Sequence, residues 1–204
     1  MKKTKIIINN KRNSIIKTKT NLSTIKSFRI SIISLIFFKI SGYILSNVYF
    51  LMIGEGSERE SMENQIERLG IRENCRLTGF LENVPEVLKN TVDIYLFTSG
   101  FEGLGLALVE AQAAGVYSIY SDVVPQEAVI NPQLVKSMSL LESPTKWAQT
   151  LIDAIPLAKE KENEKEKSYN LACSSNFNIK SVGNIYNELW LQIIKEHNLI
   201  AQGK

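Results

Sequence analysis

The segment 99–115, SGFEGLGLALVEAQAAG, holds the residues whose types and spacing could do chemistry. Glu102 falls in a glycine-rich loop, Glu110 lies eight residues later on the helix that follows, and Gly103 and Gly105 mark the junction. A helix amino terminus presents unsatisfied backbone N–H groups and a partial positive charge to whatever stands in front of it. Glycine lets that backbone approach a ligand closely. The combination suits a diphosphate. Glu110, more than a turn into the helix, could accept hydrogen bonds from two vicinal hydroxyls, as a ribose offers. Glu102 could reach the other side of the diphosphate, where a second sugar would sit. Ala107, Ala111 and Ala114 are small enough for the helix to lie close on a sheet. The same spacing also fits a plain α/β turn, since glycine loops often precede helices. Spacing alone leaves both readings open.

Such a loop needs a strand to carry it, and the flanking sequence supplies a frame. Residues 48–53 are an apolar run ending in Gly54-Glu55-Gly56. A helix follows, with Ser57 as a candidate cap and Glu60 three residues on to complete a capping box. Met62, Ile66 and Leu69 recur at helical spacing, and Gly70 closes the element. Residues 75–78 read as a second strand before Gly79-Phe80, and 84–89 as a short helix. The run DIYLFT, 93–98, reads as a buried strand. Residues 106–114 form the helix closed by Gly115, and 116–121 and 135–140 are further strands. Ser143-Pro144 opens a helix through Trp147, Leu151 and Ile155. The run KEKENEKEK at 159–167 reads as a solvated helical face or a link. A last amphipathic helix spans 179–197, and its stripe of Val182, Ile185, Tyr186, Leu189, Ile193 and Ile194 is expected to pack on the domain. Strands alternating with helices imply an α/β, Rossmann-like, doubly wound parallel sheet with right-handed crossovers and extra carboxy-terminal helices. Sheets of this kind bind ligands at the carboxyl ends of their strands.

Composition narrows the chemistry. The 204 residues, 44% hydrophobic and 22% charged, are enough for one core. Cys75 and Cys173 are distant in sequence and His197 is the single histidine, which argues against a disulfide framework, a histidine triad or a histidine-rich metal site. A reducing, cytoplasmic setting follows. Charge is divided unevenly: residues 1–54 hold ten Lys or Arg and no Asp or Glu, whereas the rest holds 14 basic against 21 acidic residues. Within the basic part, 30–53 is mostly apolar, ISIISLIFFKISGYILSNVYFLMI. A membrane signal-anchor has this length and these flanks, but Lys39, the serines and Asn47 oppose it. A buried or interfacial helix over 30–45 followed by a strand at 48–53 fits the downstream pattern better. A third reading is a region altered by truncation or a frame change.

Several motifs together carry a resemblance. Glu102 to Glu110 reproduces the E-x7-E motif of the retaining GT-B glycosyltransferases, glycosyltransferase family 4, and FEGLGLALVEAQAAG followed by VYSIYSD is similar to the surrounding family text. LMIGEG at 51–56, CRLTGF at 75–80 and DIYLFTS at 93–99 resemble its strand ends, in the right order. The region from SDVVPQEAV onward resembles an exopolysaccharide or capsule branch. The match spans about residues 48–195, so 48–198 is expected to be the carboxy-terminal nucleotide-sugar-binding domain and 1–47 an atypical, degenerate or replaced amino-terminal region. The resemblance implies that Glu110 binds ribose hydroxyls and that Glu102 contacts the donor sugar as the catalytic carboxylate. It implies that backbone N–H groups of Gly103, Leu104, Gly105 and Leu106 hold sugar and diphosphate. It also implies that Phe80, Leu81 and Val84 line the base pocket and that Gly54 and Gly56 shape the cleft floor. The donor would be a UDP-linked sugar, with no metal or other cofactor. The acceptor would be a polysaccharide or a lipid-linked sugar at the inner face of the membrane, with contact to the membrane surface.

Two departures stand against full activity. The family pairs the diphosphate with an Arg and a Lys five residues apart, about thirty residues before LMIGEG. Arg12 and Lys17 have the spacing but stand about ten residues too far, while Lys26 places Asn21 where the arginine belongs. An acceptor-binding domain of about 150 to 200 residues has no room in the chain. A non-catalytic nucleotide-binding or membrane-associated remnant is therefore the alternative. A dinucleotide oxidoreductase is disfavoured because Arg59 occupies the third-glycine position of the fingerprint. Nucleic-acid binding is disfavoured because the basic front lacks interleaved aromatics.

Overall fold

The computed structural model describes residues 4–9, 48–160 and 164–201. Six strands form one sheet: β1 (Thr4–Asn9), β2 (Val48–Ile53), β3 (Cys75–Leu77), β4 (Ile94–Phe97), β5 (Tyr117–Ser121) and β6 (Val135–Met138). Their order is β3-β2-β1-β4-β5-β6, and every neighbouring pair is parallel. The helices are α1 (Arg59–Leu69), α2 (Val84–Thr91), α3 (Leu106–Ala113), α4 (Pro144–Glu160), α5 (Lys165–Ser174) and α6 (Ile179–Ala201).

Strand β4 shows why the sequence folds this way. All four of its side chains are buried. Alternate residues point to opposite faces, and here they enter two cores. Ile94 and Leu96 pack with Met62 and Ile66 of α1 and with Trp147 and Leu151 of α4. Tyr95 and Phe97 pack with Leu88 of α2 and with Leu108 and Ala111 of α3. Helices cover both faces, which is why this parallel strand reads as an unbroken apolar run. Each fully buried Leu, Ile or Phe contributes about 1.5–3 kcal/mol. Trp147 is 1% exposed, and its indole N–H donates to the Ser139 carbonyl at 3.1 Å, so its polar edge is satisfied inside the core.

Element ends follow local chemistry, with one correction. Gly70 and Gly115 adopt φ of 65° and 73°. At Gly115 the N–H groups of Gly115 and Val116 donate to the carbonyls of Gln112 and Ala111, the paired bonds of a Schellman cap. The Ser143 hydroxyl accepts the Lys146 N–H at 3.2 Å and caps α4 as expected. The Ser57–Glu60 capping box does not form. Helix α1 starts at Arg59 with Glu58 at the cap and no side-chain cap bond. Arg59 instead joins Glu55 at 2.9 Å and Glu63 at 3.0 Å.

Further expectations are changed or narrowed. Strand β1 lies inside the stretch set apart by charge, yet it occupies the sheet centre, in register with β2 along its whole length and with β4. The domain therefore does not begin at residue 48. The apolar stretch 30–53 is not one spanning helix, because its last six residues are β2, the strand expected at 48–53; residues 30–47, with the buried or interfacial helix read at 30–45, lie outside the described residues. The charged run ends in a packed element: Lys165 opens α5 against Gly115, where a Cβ would stand 2.8 Å from the Lys165 Cα. Lastly, the α6 stripe is not packed on the domain. Tyr186 is 67% exposed and Leu189 50%, and Ile185, Trp190, Ile193 and Ile194 are exposed with them. Helical periodicity records an apolar face but not the surface that faces it.

Candidate functional site

The strand order fixes where a ligand belongs. From β1 the chain steps outward through β2 and β3, and β4, β5 and β6 lie on the other side. The crevice at the carboxyl ends of β1 and β4 is thus the switch point of a doubly wound sheet. Strand β4 leads out of it through residues 98–105 into α3.

That loop is anchored at several points. The Ser121 hydroxyl, at the end of β5, donates to the Ser99 carbonyl. The Ser99 hydroxyl lies 2.8 Å from the Glu102 Oε1 and 2.9 Å from the Phe101 carbonyl. Glu102 is half-buried in this arrangement. Gly105 then turns the chain into α3 with φ 64° and ψ 33°. Its carbonyl accepts the Leu108 N–H at 2.8 Å, and as a glycine at the cap position it offers the helix no capping side chain of its own. Val124 and Ala128 close the space behind it. A Cβ on Gly105 would stand 2.8 Å from the Val124 Cγ1 and 3.1 Å from the Ala128 Cβ.

On α3 the residues Ala107, Leu108, Val109, Ala111 and Gln112 are buried, while Glu110 is half-buried. Gly103 and Leu104 are exposed, and so is Leu106, the first helical residue. Gly54, with φ 137°, bridges to Gly79 across the ends of β2 and β3, its N–H donating to the Gly79 carbonyl at 2.9 Å. Gly56 follows in the turn before α1, where its carbonyl accepts the Arg59 N–H. Leu81 and Val84 pack partly against the second core. The Phe80 side chain is 78% exposed, beside the Gly54–Gly79 bridge. Loop and helix thus bring Glu102, Glu110 and residues 103–106 onto one connection, whereas Phe80, Leu81 and Val84 follow β3 at the sheet edge.

Sequence reasoning missed Ser99, Ser121, Gln112 and Val124. The available signal was small hydroxyl residues closing buried apolar strands, together with an amide inside an otherwise alanine-rich helix. Arg12, Lys17, Asn21 and Lys26 lie outside the described residues. The central strand ends at Asn9, however, so Arg12 and Lys17 follow its carboxyl end directly in sequence. Their distance from LMIGEG reflects the length of the β1–β2 connection.

Elsewhere, burial pushes the Cys75 thiol up to about 12, with the Arg72 charge opposing in part. It is a packed thiol and not a nucleophile. Among the described residues, no group of three or more His, Cys, Asp or Glu could hold a metal ion, and no helix is long and apolar enough to cross a membrane.

Comparison with known proteins places this geometry. Residues 37–172 match the family described as glycosyl transferases group 1. The chain is 25% identical over 151 residues to the O-antigen biosynthesis glycosyltransferase WclY of Escherichia coli, covering 72% of this chain and 41% of that protein. Its fold is similar to the carboxy-terminal domain of the group 1 family protein LpcC from Francisella tularensis, with TM-score 0.60, 19% identity and coverage of 86% and 87% of the two chains. It is similar as well to the pneumococcal O-GlcNAc transferase GtfA in complex with UDP and GlcNAc, with TM-score 0.67, 18% identity and coverage of 95% of this chain and 36% of that one. The chain spans about two fifths of the length of WclY. With a glycine-rich loop entering a helix capped by Gly105 at its switch point, and with the family model matching two thirds of its residues, the chain belongs to the glycosyl transferases group 1 family and carries the Rossmann-like carboxy-terminal half of the GT-B fold.

Proposed function

We propose that this domain binds a UDP-linked sugar and serves a retaining glycosyltransferase that passes the sugar to a polysaccharide or lipid-linked acceptor. One observation carries the reading: the E-x7-E loop leaves β4 at the switch point and enters a helix whose cap residue is Gly105, in a left-handed turn and without a capping side chain of its own. In this reading the diphosphate lies against residues 103–106. Cleavage of the anomeric C–O bond leaves its electron pair on the diphosphate, and the N–H groups and helix dipole stabilise that charge. Glu110 accepts the ribose hydroxyls. Glu102, held by Ser99, faces the donor sugar. Phe80, Leu81 and Val84 surround the base, and Gly54 and Gly56 form the floor. No metal takes part. Both cysteines are unpaired, which fits a reducing compartment, and the acceptor is met at the cytoplasmic face of the membrane. Support for UDP is the complex formed by GtfA, and support for a polysaccharide product is the O-antigen role of WclY.

Calorimetric titration with uridine, UMP and UDP tests this. UDP is expected to bind about tenfold or more tighter than UMP, the equivalent of about 1.4 kcal/mol for the second phosphate. Equal binding of UMP and UDP refutes the diphosphate position, and no binding of UDP by folded protein removes the reading. Turnover of UDP-sugars with a lipid-linked acceptor in detergent then separates transfer by this chain from nucleotide binding without transfer.

A further inference from the structure

Behind the loop stands a buried amide that no part of the donor reading uses. Gln112 is fully buried on α3. Its Nε2 donates to the carbonyls of Leu108 at 3.0 Å and Ala128 at 2.7 Å, and its Oε1 accepts the N–H groups of Ile130 and Asn131, each at 3.0 Å. Both partners of the nitrogen are carbonyls and both partners of the oxygen are N–H groups. The amide therefore has one orientation and uses its full hydrogen-bonding capacity. Asn131, itself buried, extends the network, donating to the Ser168 hydroxyl of α5 at 2.8 Å. Segment 122–131 is thereby tied to the helix that carries Glu110. The same segment supplies Val124 and Ala128, which close on Gly105.

We propose that Gln112 is a positioning residue for the donor site. It clamps segment 122–131 so that Val124 and Ala128 confine Gly105 to the left-handed turn that aims the N–H groups of α3 at the diphosphate. This rests on the donor-site reading above. The physical reason is entropy. An unconfined glycine samples positive and negative φ about equally, so a loop released from Val124 and Ala128 must be ordered again at each binding event. Ligand affinity then carries that ordering cost.

The test uses UDP as the probe, with Gln112→Met, Val124→Ala and the double variant. Methionine keeps the length and removes all four hydrogen bonds. Stability is read by urea unfolding, and UDP affinity by calorimetry under conditions where each variant is folded. Gln112→Met is expected to weaken UDP about tenfold and Val124→Ala about threefold, with the double variant close to Gln112→Met alone because both act through one contact. If UDP affinity is unchanged in folded Gln112→Met while its stability falls, the residue is structural only and the inference fails. Additive losses in the double variant also overturn it, since they mean separate routes. If Gln112→Met does not fold, Val124→Ala decides: unchanged UDP affinity refutes the confinement of Gly105. Wild-type protein that binds no UDP overturns the donor reading itself, an outcome distinct from wild-type binding that the variants leave intact.

Discussion

Replacing Gly105 by alanine separates two costs that the structure assigns to different glycines. Gly70, Gly105 and Gly103 form a graded series. Gly70 has φ +65° and nothing within 4 Å of a modest added Cβ, so Gly70→Ala reads backbone strain alone, about 1–2 kcal/mol for a left-handed alanine. Gly105 has nearly the same φ, +64°, but its Cβ would stand 2.8 Å from the Val124 Cγ1 and 3.1 Å from the Ala128 Cβ. Val124 is 2% exposed and Ala128 fully buried, so neither can retreat into solvent. Overpacking of this kind adds about 1–3 kcal/mol. Gly105→Ala is thus expected to lose about 2–5 kcal/mol, a large share of the roughly 5–15 kcal/mol that holds a domain folded. Gly103 has neither a positive φ nor a close neighbour, and Gly103→Ala should stay within about 0.5 kcal/mol. Urea unfolding followed by circular dichroism measures all three. If Gly105→Ala is no less stable than Gly70→Ala, the contact with Val124 and Ala128 does not exist as described.

Other consequences are equally direct. Trp147→Ala removes a buried indole and its bond to Ser139 and is expected to cost about 3–5 kcal/mol in urea unfolding; a loss below 1 kcal/mol contradicts its place in the first core. Cys75 should give the stability a pH dependence. Its folded value is raised from 9.0 to about 12, so the unfolded chain releases this proton first. The stability it contributes is fully present below pH 9 and is lost as pH rises toward 12. Cys75→Ala should flatten that decline in urea midpoints, and an unchanged slope refutes the buried thiol. Alkylation of native protein should label the exposed Cys173 and spare the buried Cys75 until unfolding; early labelling of both is the contrary result.

What could be read from the sequence follows from which forces are local. Strand β4 was legible because helices on both faces demand a continuous apolar run. The ends of α3 and α4 were legible because Gly115 and Ser143 act through bonds to near neighbours. Strand β1 was obscured by the lysines around three isoleucines, since net charge describes a region and not the partner strands that recruit it. The Ser57–Glu60 cap did not form because the helix starts at Arg59 with Glu58 at the cap, one residue past the position the capping pattern requires. Helix α5 was hidden in a charged run because its packing depends on Gly115 and Asn131, distant in sequence. At the site, Glu102, Glu110 and their glycines were visible as a motif. Ser99, Ser121 and Gln112 were not, because their roles come from partners on other elements.

The central claim is a nucleotide diphosphate on the start of α3 with Glu110 gripping its ribose. Comparing UDP with its 2′,3′-dideoxy analogue, on wild-type protein and on Glu110→Ala, tests it most directly. The account predicts that Glu110→Ala weakens UDP about tenfold or more, consistent with about 1.5–3 kcal/mol for hydrogen bonds to a charged group, and leaves the dideoxy analogue's affinity unchanged. Equal effects on both ligands, or no effect on either, contradict it.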